Sequence, residues 1–377
     1  MMAIDPLVSL LADLVAIPSM NPMGRGKTGP AYSEAALAAY VAAYLRRHGV
    51  DTEIDEFAPG RPNVIGYIDA GAKQTLLLEA HLDTVQAENM TVPPFTPEIR
   101  DGKLFGRGAC DTKGSLAAFL HAGCSILEKG RKPRFNIILL AVADEEYQFT
   151  GALRAVAHGL KADFGIAGEP TRLRIVHAHK GVTRWRIVTR GVAAHSAYPE
   201  RGQNAIYRMG RVLARLEEYA LDLRAGIPHP VLGAPSLSVG VIEGGEAVNI
   251  IPDRCSIEVD RRTLPGESTE AVLAAVRSVL REIPGWEIRS PHLEAGAMEV
   301  SPASPVVTFL SDAVNKETGN SIVEAAQYAT DAGIYTSAGI PSVVFGPGDI
   351  AQAHTDAEYI DLTELHSAAN IITRAVA

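Results

Sequence analysis

The sequence predicts an α/β fold in which a smaller α+β domain interrupts a larger one. Three observations carry that reading. Short apolar runs alternate with helical periodicities over residues 1–181, residues suited to chemistry stand just after several of those runs, and the element order over 182–291 becomes strand, helix, strand, strand, helix, strand. Residues 292–377 then complete the larger domain, which is therefore discontinuous. A chain of 377 residues has room for two cores.

The first helix is expected over residues 6–17, where Leu7, Leu10, Leu11, Leu14 and Val15 recur at helical spacing until Pro18 ends it. Residues 21–30 hold three glycines and two prolines and read as a loop bordering something open to solvent. An Ala-rich helix follows over 33–48 and stops at Gly49. Strands are expected near 50–57 and 63–68. The next stretch, 75–85, reads T-L-L-L-E-A-H-L-D-T-V, and its continuous apolar run suits a strand buried on both faces. His81 and Asp83, two residues apart, point to one side in extended chain, at the strand end where open α/β sheets keep their chemistry. They suit a metal ligand and the carboxylate that orients it, although an isolated H-x-D is more often structural.

Residues 106–114, G-R-G-A-C-D-T-K-G, precede a helix at 115–129 and present Asp111 at its mouth. The spacing is not that of a phosphate-binding loop, and Asp111 read by itself serves equally as a helix cap. A buried strand at 135–142 runs directly into Asp144, Glu145 and Glu146. Three acids there form either an exposed turn or a buried cluster that needs a cation. Residues 162–167 make a further strand ending in Gly168-Glu169-Pro170, and far along the chain V-V-F-G-P-G at 343–348 leads to Gln352-Ala353-His354. Alone, His354 reads first as a structural histidine. Together, five expected strand ends deliver His81, Asp111, Glu146, Glu169 and His354. Two imidazoles and three carboxylates suit a pair of divalent ions such as zinc, one carboxylate bridging, with positions open for water and substrate. Glu145 is then a carboxylate beside the metals and not a ligand, the expected general base.

Composition narrows the partners. Net charge is -9 with a pI near 5.7, and no long Lys/Arg run appears, so nucleic acid is not an expected partner. Cys110, Cys124 and Cys255 give neither a disulfide framework nor a paired-cysteine metal site, and fit a reducing compartment. No uninterrupted apolar run reaches about 18 residues, and the N-terminus carries acids where a secretory signal would carry Lys or Arg. The expectation is a cytoplasmic protein without a membrane partner.

These motifs resemble those of the dinuclear zinc amidohydrolases and peptidases, the family of acetylornithine deacetylase, succinyl-diaminopimelate desuccinylase, glutamate carboxypeptidase and aminoacylase. The similarity runs from about residue 4 to the C-terminus. Its most specific pieces, in order, are E-A-H-L-D-T-V (79–85), G-R-G-A-C-D-T-K-G (106–114), A-D-E-E (143–146), G-E-P-T (168–171) and Q-A-H (352–354). The acetylornithine deacetylase branch is the most similar, through A-H-K-G (178–181), G-V-A-A-H-S-A-Y-P-E-R-G-Q-N-A-I (191–206), D-R-R-T-L-P-G (260–266) and G-P-G-D-I-A-Q-A-H (346–354).

The resemblance implies a zinc-peptidase-like catalytic domain with a mixed central sheet, residues 1–181 and 292–377, and an inserted ferredoxin-like lid and dimerisation domain, 182–291. It implies that His81 and Glu169 hold one zinc and Glu146 and His354 the other, with Asp111 bridging and Asp83 orienting His81. A cis peptide bond is expected after Asp111. Cobalt or manganese would fit the same residues. Glu145 would take a proton from the bridging water and hand it to the leaving amine. His195 would reach a partner subunit's active site and stabilise the oxyanion, so the expected protein is a homodimer. Asn249 and Arg262 match positions that hold substrate, Arg262 by a planar fork suited to a carboxylate, with adjacent Arg261 leaving the choice of arginine open. Lys180 is a further candidate contact, and Asp331 falls where this branch carries an acid that could pair a substrate ammonium.

The expected reaction is hydrolysis of an N-acyl amino acid, N-acetylornithine first, as in arginine biosynthesis. Cleavage of a dipeptide by an aminopeptidase or carboxypeptidase is the alternative. T-D-A at 330–332 departs from the T-S-D-G of the desuccinylase branch and counts against succinyl-diaminopimelate. A non-catalytic dimeric binding protein is disfavoured, because a scaffold has no reason to keep buried carboxylates.

Overall fold

A computed structural model describes residues 5–377, so positions 1–4, where the acidic N-terminal reading and the family similarity begin, lie outside the described residues. The helix Pro6–Ala16 starts at Asp5, whose carboxylate accepts from the N–H groups of Leu7 and Val8. Its buried face contains Leu7, Leu10, Leu11, Leu14 and Val15, as their spacing requires. The Ala-rich helix is Ala35–Arg47 and buries Leu37, Val41 and Leu45.

The chain forms two compact units. One comprises the residues up to Ala178, Met298–Ala325 and Thr330–Ala377; the other comprises His179–Ala297 and Ala326–Ala329. The boundary falls beyond residue 291 because Leu293–Ala295 still pairs with the strand Gly181–Arg190.

The first unit is built on a nine-stranded mixed sheet. Its central neighbours, Asn136–Val142, Thr75–His81, Phe164–Ala167 and Ser342–Val344, are parallel, and antiparallel strands flank them. Leu76 to His81 are all buried, as in a strand covered on both faces. Leu76, Leu78, Ala80 and Leu82 enter the main core with the helices Lys113–Glu128, Pro305–Thr318 and Leu362–Val376. By the strand's period of two, Leu77, Glu79 and His81 point to the other face.

In the second unit the strands Ser236–Gly244, Arg254–Thr263, Gly181–Arg190 and Trp286–Ile288 lie side by side in that order, all antiparallel. The helices Ala205–Ala225 and Thr269–Leu280 pack on the sheet through Met209, Val212, Leu216 and Val276 against Trp185, Ile187, Ile257 and Val259. The sequence of elements is β-α-β-β-α-β, the ferredoxin-like order.

Candidate metal centre

Parallel neighbours end on one edge of the sheet, and three of them leave it with chemistry in hand. His81 closes Thr75–His81, Glu145 and Glu146 follow Asn136–Val142, and Glu169 follows Phe164–Ala167. Asp111 and His354 depart from the expectation, since neither ends a strand. Asp111 lies in the loop that opens Lys113–Glu128, and His354 has φ +63 in the turn after the short helix Ile350–Gln352. Nor does Asp111 cap its helix. Thr112 holds that position, and its hydroxyl donates instead to the Gly168 carbonyl at 2.6 Å. The Asp111–Thr112 peptide bond is cis, as the resemblance implies.

The five side chains nevertheless converge. His81 Nε2 is 3.1 Å from Asp111 Oδ1 and 3.9 Å from Glu169 Oε1. His354 Nε2 is 3.3 Å from Asp111 Oδ2 and 3.1 Å from Glu146 Oε2. Each oxygen of Asp111 thus faces one imidazole. The ligand atoms of His81, Asp111 and Glu146 lie within 4.8 Å of one another, and so do those of His81, Glu145 and Glu169.

The donor set fits divalent cations. His81 Nδ1 donates to the Asp83 carbonyl at 2.9 Å, which turns Nε2 toward the carboxylates. There Nε2 takes either a cation or a proton. Burial opposes the charge, but the Asp111 bond and the surrounding acids raise His81 well above the usual imidazole range. Glu146 Oε1 is buried with no hydrogen-bond partner. Burial, then the charge of Asp111, pushes Glu146 up to about 6. Glu145 and Glu169 are raised well above the carboxylate range by burial first, then by Glu169 and Asp111 respectively. Burial also resists ionisation of Asp111, yet bonds from His354 and His81 outweigh it and keep that carboxyl low. Asp111 and Glu146 lift His354 to about 10. Dications between these groups would relieve the repulsion and give the unpartnered oxygen a ligand.

Asp83 is wired differently from the expectation. Its backbone carbonyl holds His81, while its carboxylate is 3.6 Å from Nδ1. That carboxylate accepts from the N–H groups of Glu145 and Glu146, both at 3.1 Å, and from Asn21 Nδ2 at 2.8 Å. It therefore ties the His81 strand to the turn that bears the two glutamates. Asn21 also donates to Asp144 Oδ1 at 2.7 Å, and Asp144 begins that turn in the left-handed region at φ +67.

Asp331 also departs from its expected place. It is 2 % exposed, at the start of the helix Asp331–Ser337, with its carboxyl set against that of Glu79. Neither Asp331 oxygen has a donor unless the two acids share a proton, and burial pushes Asp331 up to about 7. Asp331 is thus buried beside Glu79, with no open face for a substrate ammonium. Glu79 stands two residues before His81 on the same side of the strand, a position the period of two would have revealed.

The remaining expected residues belong to the second unit. His195 pairs with Ile250 in a short ribbon, Ala194–His195 with Ile250–Ile251, which brings His195 and Asn249 together on an exposed segment. His195 Nδ1 accepts from the Ala197 N–H at 3.1 Å, leaving Nε2–H as the outward donor. Arg261 is fully buried and paired with Glu267 at 2.6 Å. Arg262, on the alternate face, is partly exposed and forks onto Asp260 at 2.9 and 3.4 Å. Lys180 is largely buried and donates to the Ala234 carbonyl at 2.5 Å; burial, then the charges of Arg261 and Arg262, lowers its pKa.

Two imidazoles and the acids Asp111, Glu145, Glu146 and Glu169, gathered along the carboxyl edge of a mixed α/β sheet, are the donor set of a metal-dependent hydrolase. The chain belongs to Peptidase family M20/M25/M40, whose model matches residues 77–377. The acetylornithine deacetylase of Myxococcus xanthus is 35 % identical, covering 99 % of this chain and 98 % of that protein. That of Photorhabdus laumondii is 31 % identical, covering 99 % and 97 %. The M20 family metallo-carboxypeptidase Sso-CP2 of Sulfolobus solfataricus shares the fold, with a TM-score of 0.81 at 20 % identity over 99 % of this chain and 98 % of that one.

Proposed function

We propose that the protein hydrolyses the amide bond of an N-acyl amino acid, with N-acetylornithine the leading substrate. One observation carries the chemistry: His81 and His354 face the two oxygens of a single buried carboxylate, Asp111. In this reading His81 and Glu169 would hold one divalent ion and Glu146 and His354 the other, with Asp111 shared by the two sites. Zinc suits the donors best, and cobalt or manganese would bind the same set. Bound ions would lower the pKa of a shared water toward about 7 and polarise the scissile carbonyl.

The chain's own residues do the rest. Glu145 accepts the proton of the attacking water and returns it to the leaving amine, a transfer favoured by a carboxyl raised through burial. Asp83 fixes Glu145 by holding its backbone N–H. His195 offers Nε2–H to the developing oxyanion, acting across a homodimer formed through the second unit. Arg262 and Asn249 receive the substrate carboxylate, Arg262 exchanging Asp260 for it, and Lys180 is a further candidate contact. Likeness to two acetylornithine deacetylases supports a place for this reaction in arginine biosynthesis. A cytoplasmic setting is consistent with three cysteines that are free and buried, and among the described residues no helix is long and apolar enough to cross a membrane.

Parallel assays of zinc-loaded protein on N-acetylornithine, other N-acyl amino acids and dipeptides test the substrate. N-acetylornithine should give the highest kcat/KM, and a preference for dipeptides would overturn the deacetylase assignment. Glu145→Ala should keep two metals per chain and lose roughly 10²–10⁴-fold in turnover. Undiminished turnover would remove Glu145 from the reaction.

A further inference from the structure

The run His354-Thr355-Asp356-Ala357-Glu358 ends in an acid that the chemistry above leaves unused. Glu358 is fully buried, immediately before the strand Tyr359–Asp361. Its Oε2 accepts from Arg107 Nη1 at 2.7 Å and the Gly108 N–H at 2.9 Å. Its Oε1 accepts from the N–H groups of Cys110 at 2.9 Å and Asp111 at 3.0 Å. Four donors fill the lone-pair sites of a carboxylate. All four come from residues 107–111, and the last of them bears the carboxylate that faces both imidazoles. Arg107 directs its other N–H groups to the carbonyls of Gln86 and Thr355, each at 3.1 Å, and Thr355 directly follows His354. Gly108 permits the close approach: at φ +81, a Cβ there would fall 2.7 Å from Thr84 Cγ2. One buried ion pair thus anchors the backbone carrying Asp111 and the turn carrying His354.

We propose that Glu358, together with Arg107, is a positioning residue that sets the Asp111 carboxylate between the two metal sites. The inference rests on the two-metal reading above. No other acceptor serves the Gly108, Cys110 and Asp111 amides within the described residues. Buried N–H groups that lose their acceptor turn toward another, so removing the Glu358 charge moves the loop and Asp111 with it. Because Asp111 faces both histidines, its displacement weakens both sites together. Loss of a terminal ligand such as Glu169 would weaken one.

The test is a zinc titration of the full chain against a chromophoric chelator, with the visible spectrum of the cobalt-loaded protein and thermal unfolding of the metal-free protein recorded alongside. Glu358→Gln should fold, raise both zinc dissociation constants by about 10- to 100-fold, and alter the cobalt spectrum. Its kcat should fall while KM stays close to that of the parent. If Glu358→Gln does not fold, Arg107→Lys carries the test, since it keeps the charge and loses the fork; the same joint weakening is expected. Leu310→Ala, in the helix Pro305–Thr318 and in none of these contacts, calibrates a purely structural loss and should leave both constants unchanged. Parent-like constants and cobalt spectrum in the folded variant, or changes no larger than those of Leu310→Ala, overturn the proposal alone. A parent protein that binds fewer than two zinc ions overturns the two-metal reading and the proposal with it.

Discussion

Asn21 supplies one donor to each of two buried carboxylates, beside the Glu145 and Glu146 amides on Asp83 and the Thr150 hydroxyl on Asp144. Its amide protons go to Asp83 and Asp144, its Oδ1 accepts from the Met23 N–H at 2.8 Å, and no part of it reaches solvent. A buried acceptor left without its donor costs about 1–3 kcal/mol, so Asn21→Ala should lose roughly 2–3 kcal/mol of stability. Asp83 also carries the amides of Glu145 and Glu146, so kcat should fall more than KM rises. Urea unfolding and steady-state kinetics check both; stability within about 0.5 kcal/mol of the parent would mean that the remaining donors, the Glu145 and Glu146 amides and the Thr150 hydroxyl, satisfy the two acids without Asn21. The sequence marks residues 21–30 only as a loop, because the partners of Asn21 lie 62 and 123 residues away. Glu358 is hidden for the same reason, 247 residues from Asp111. The choice between Arg261 and Arg262, by contrast, was within reach. Alternation along Arg254–Thr263 puts Arg261 on the same face as buried Val259 and Ile257, leaving Arg262 for the partly exposed side.

Elements are legible in proportion to their apolar period. Thr75–His81 and Asn136–Val142 announce themselves by continuous runs, and Pro6–Ala16 by its spacing. The helices Thr150–Ala157 and Asp331–Ser337 do not, being short and rich in Ala, Gly and Thr. Ile175–His179 is less legible, since its alternation V-H-A-H is only four residues long and the histidines are buried along with the apolar positions; neighbouring strands hold it extended. One element bears on assembly. Ser236–Gly244 is an edge strand that pairs only with Arg254–Thr263 among the described residues, and it exposes Val241 at 45 % and Ile242 at 55 %. Beside it lies an open groove of about 570 Å³ that includes Leu213, Leu221 and Val239. An apolar, unpaired edge favours pairing with a second copy, and a lysine there blocks it. If the proposed homodimer forms through this edge, Ile242→Lys should run as a 40.1 kDa monomer in light scattering, keep the metal content of the parent, and lose turnover with the proposed His195 contribution. A variant that stays dimeric would place the interface elsewhere.

At the scale of the whole chain, the metal centre should govern how stability varies with pH. Without metal, Glu146 is raised from 4.5 to about 6, so its contribution is complete below 4.5 and fades as pH rises through 6. His354, raised from 6.5 to about 10, acts in the same sense: its contribution is complete below 6.5 and lost as pH climbs through 10. Dications reverse the trend, because they bind the deprotonated atoms and compete with protons for them. The gain in Tm on zinc binding should therefore be larger at about pH 8 than at about pH 5. Glu34, buried beside Arg61 and pushed up to about 8, titrates in the same window, but it does so with and without zinc and cancels in the difference. Thermal unfolding of zinc-saturated and chelated protein at the two pH values measures that difference. If it were equal or smaller at the higher pH, mutual repulsion of Glu145, Glu146 and Glu169 would not be what the cations relieve, and these acids would instead be neutral structural groups.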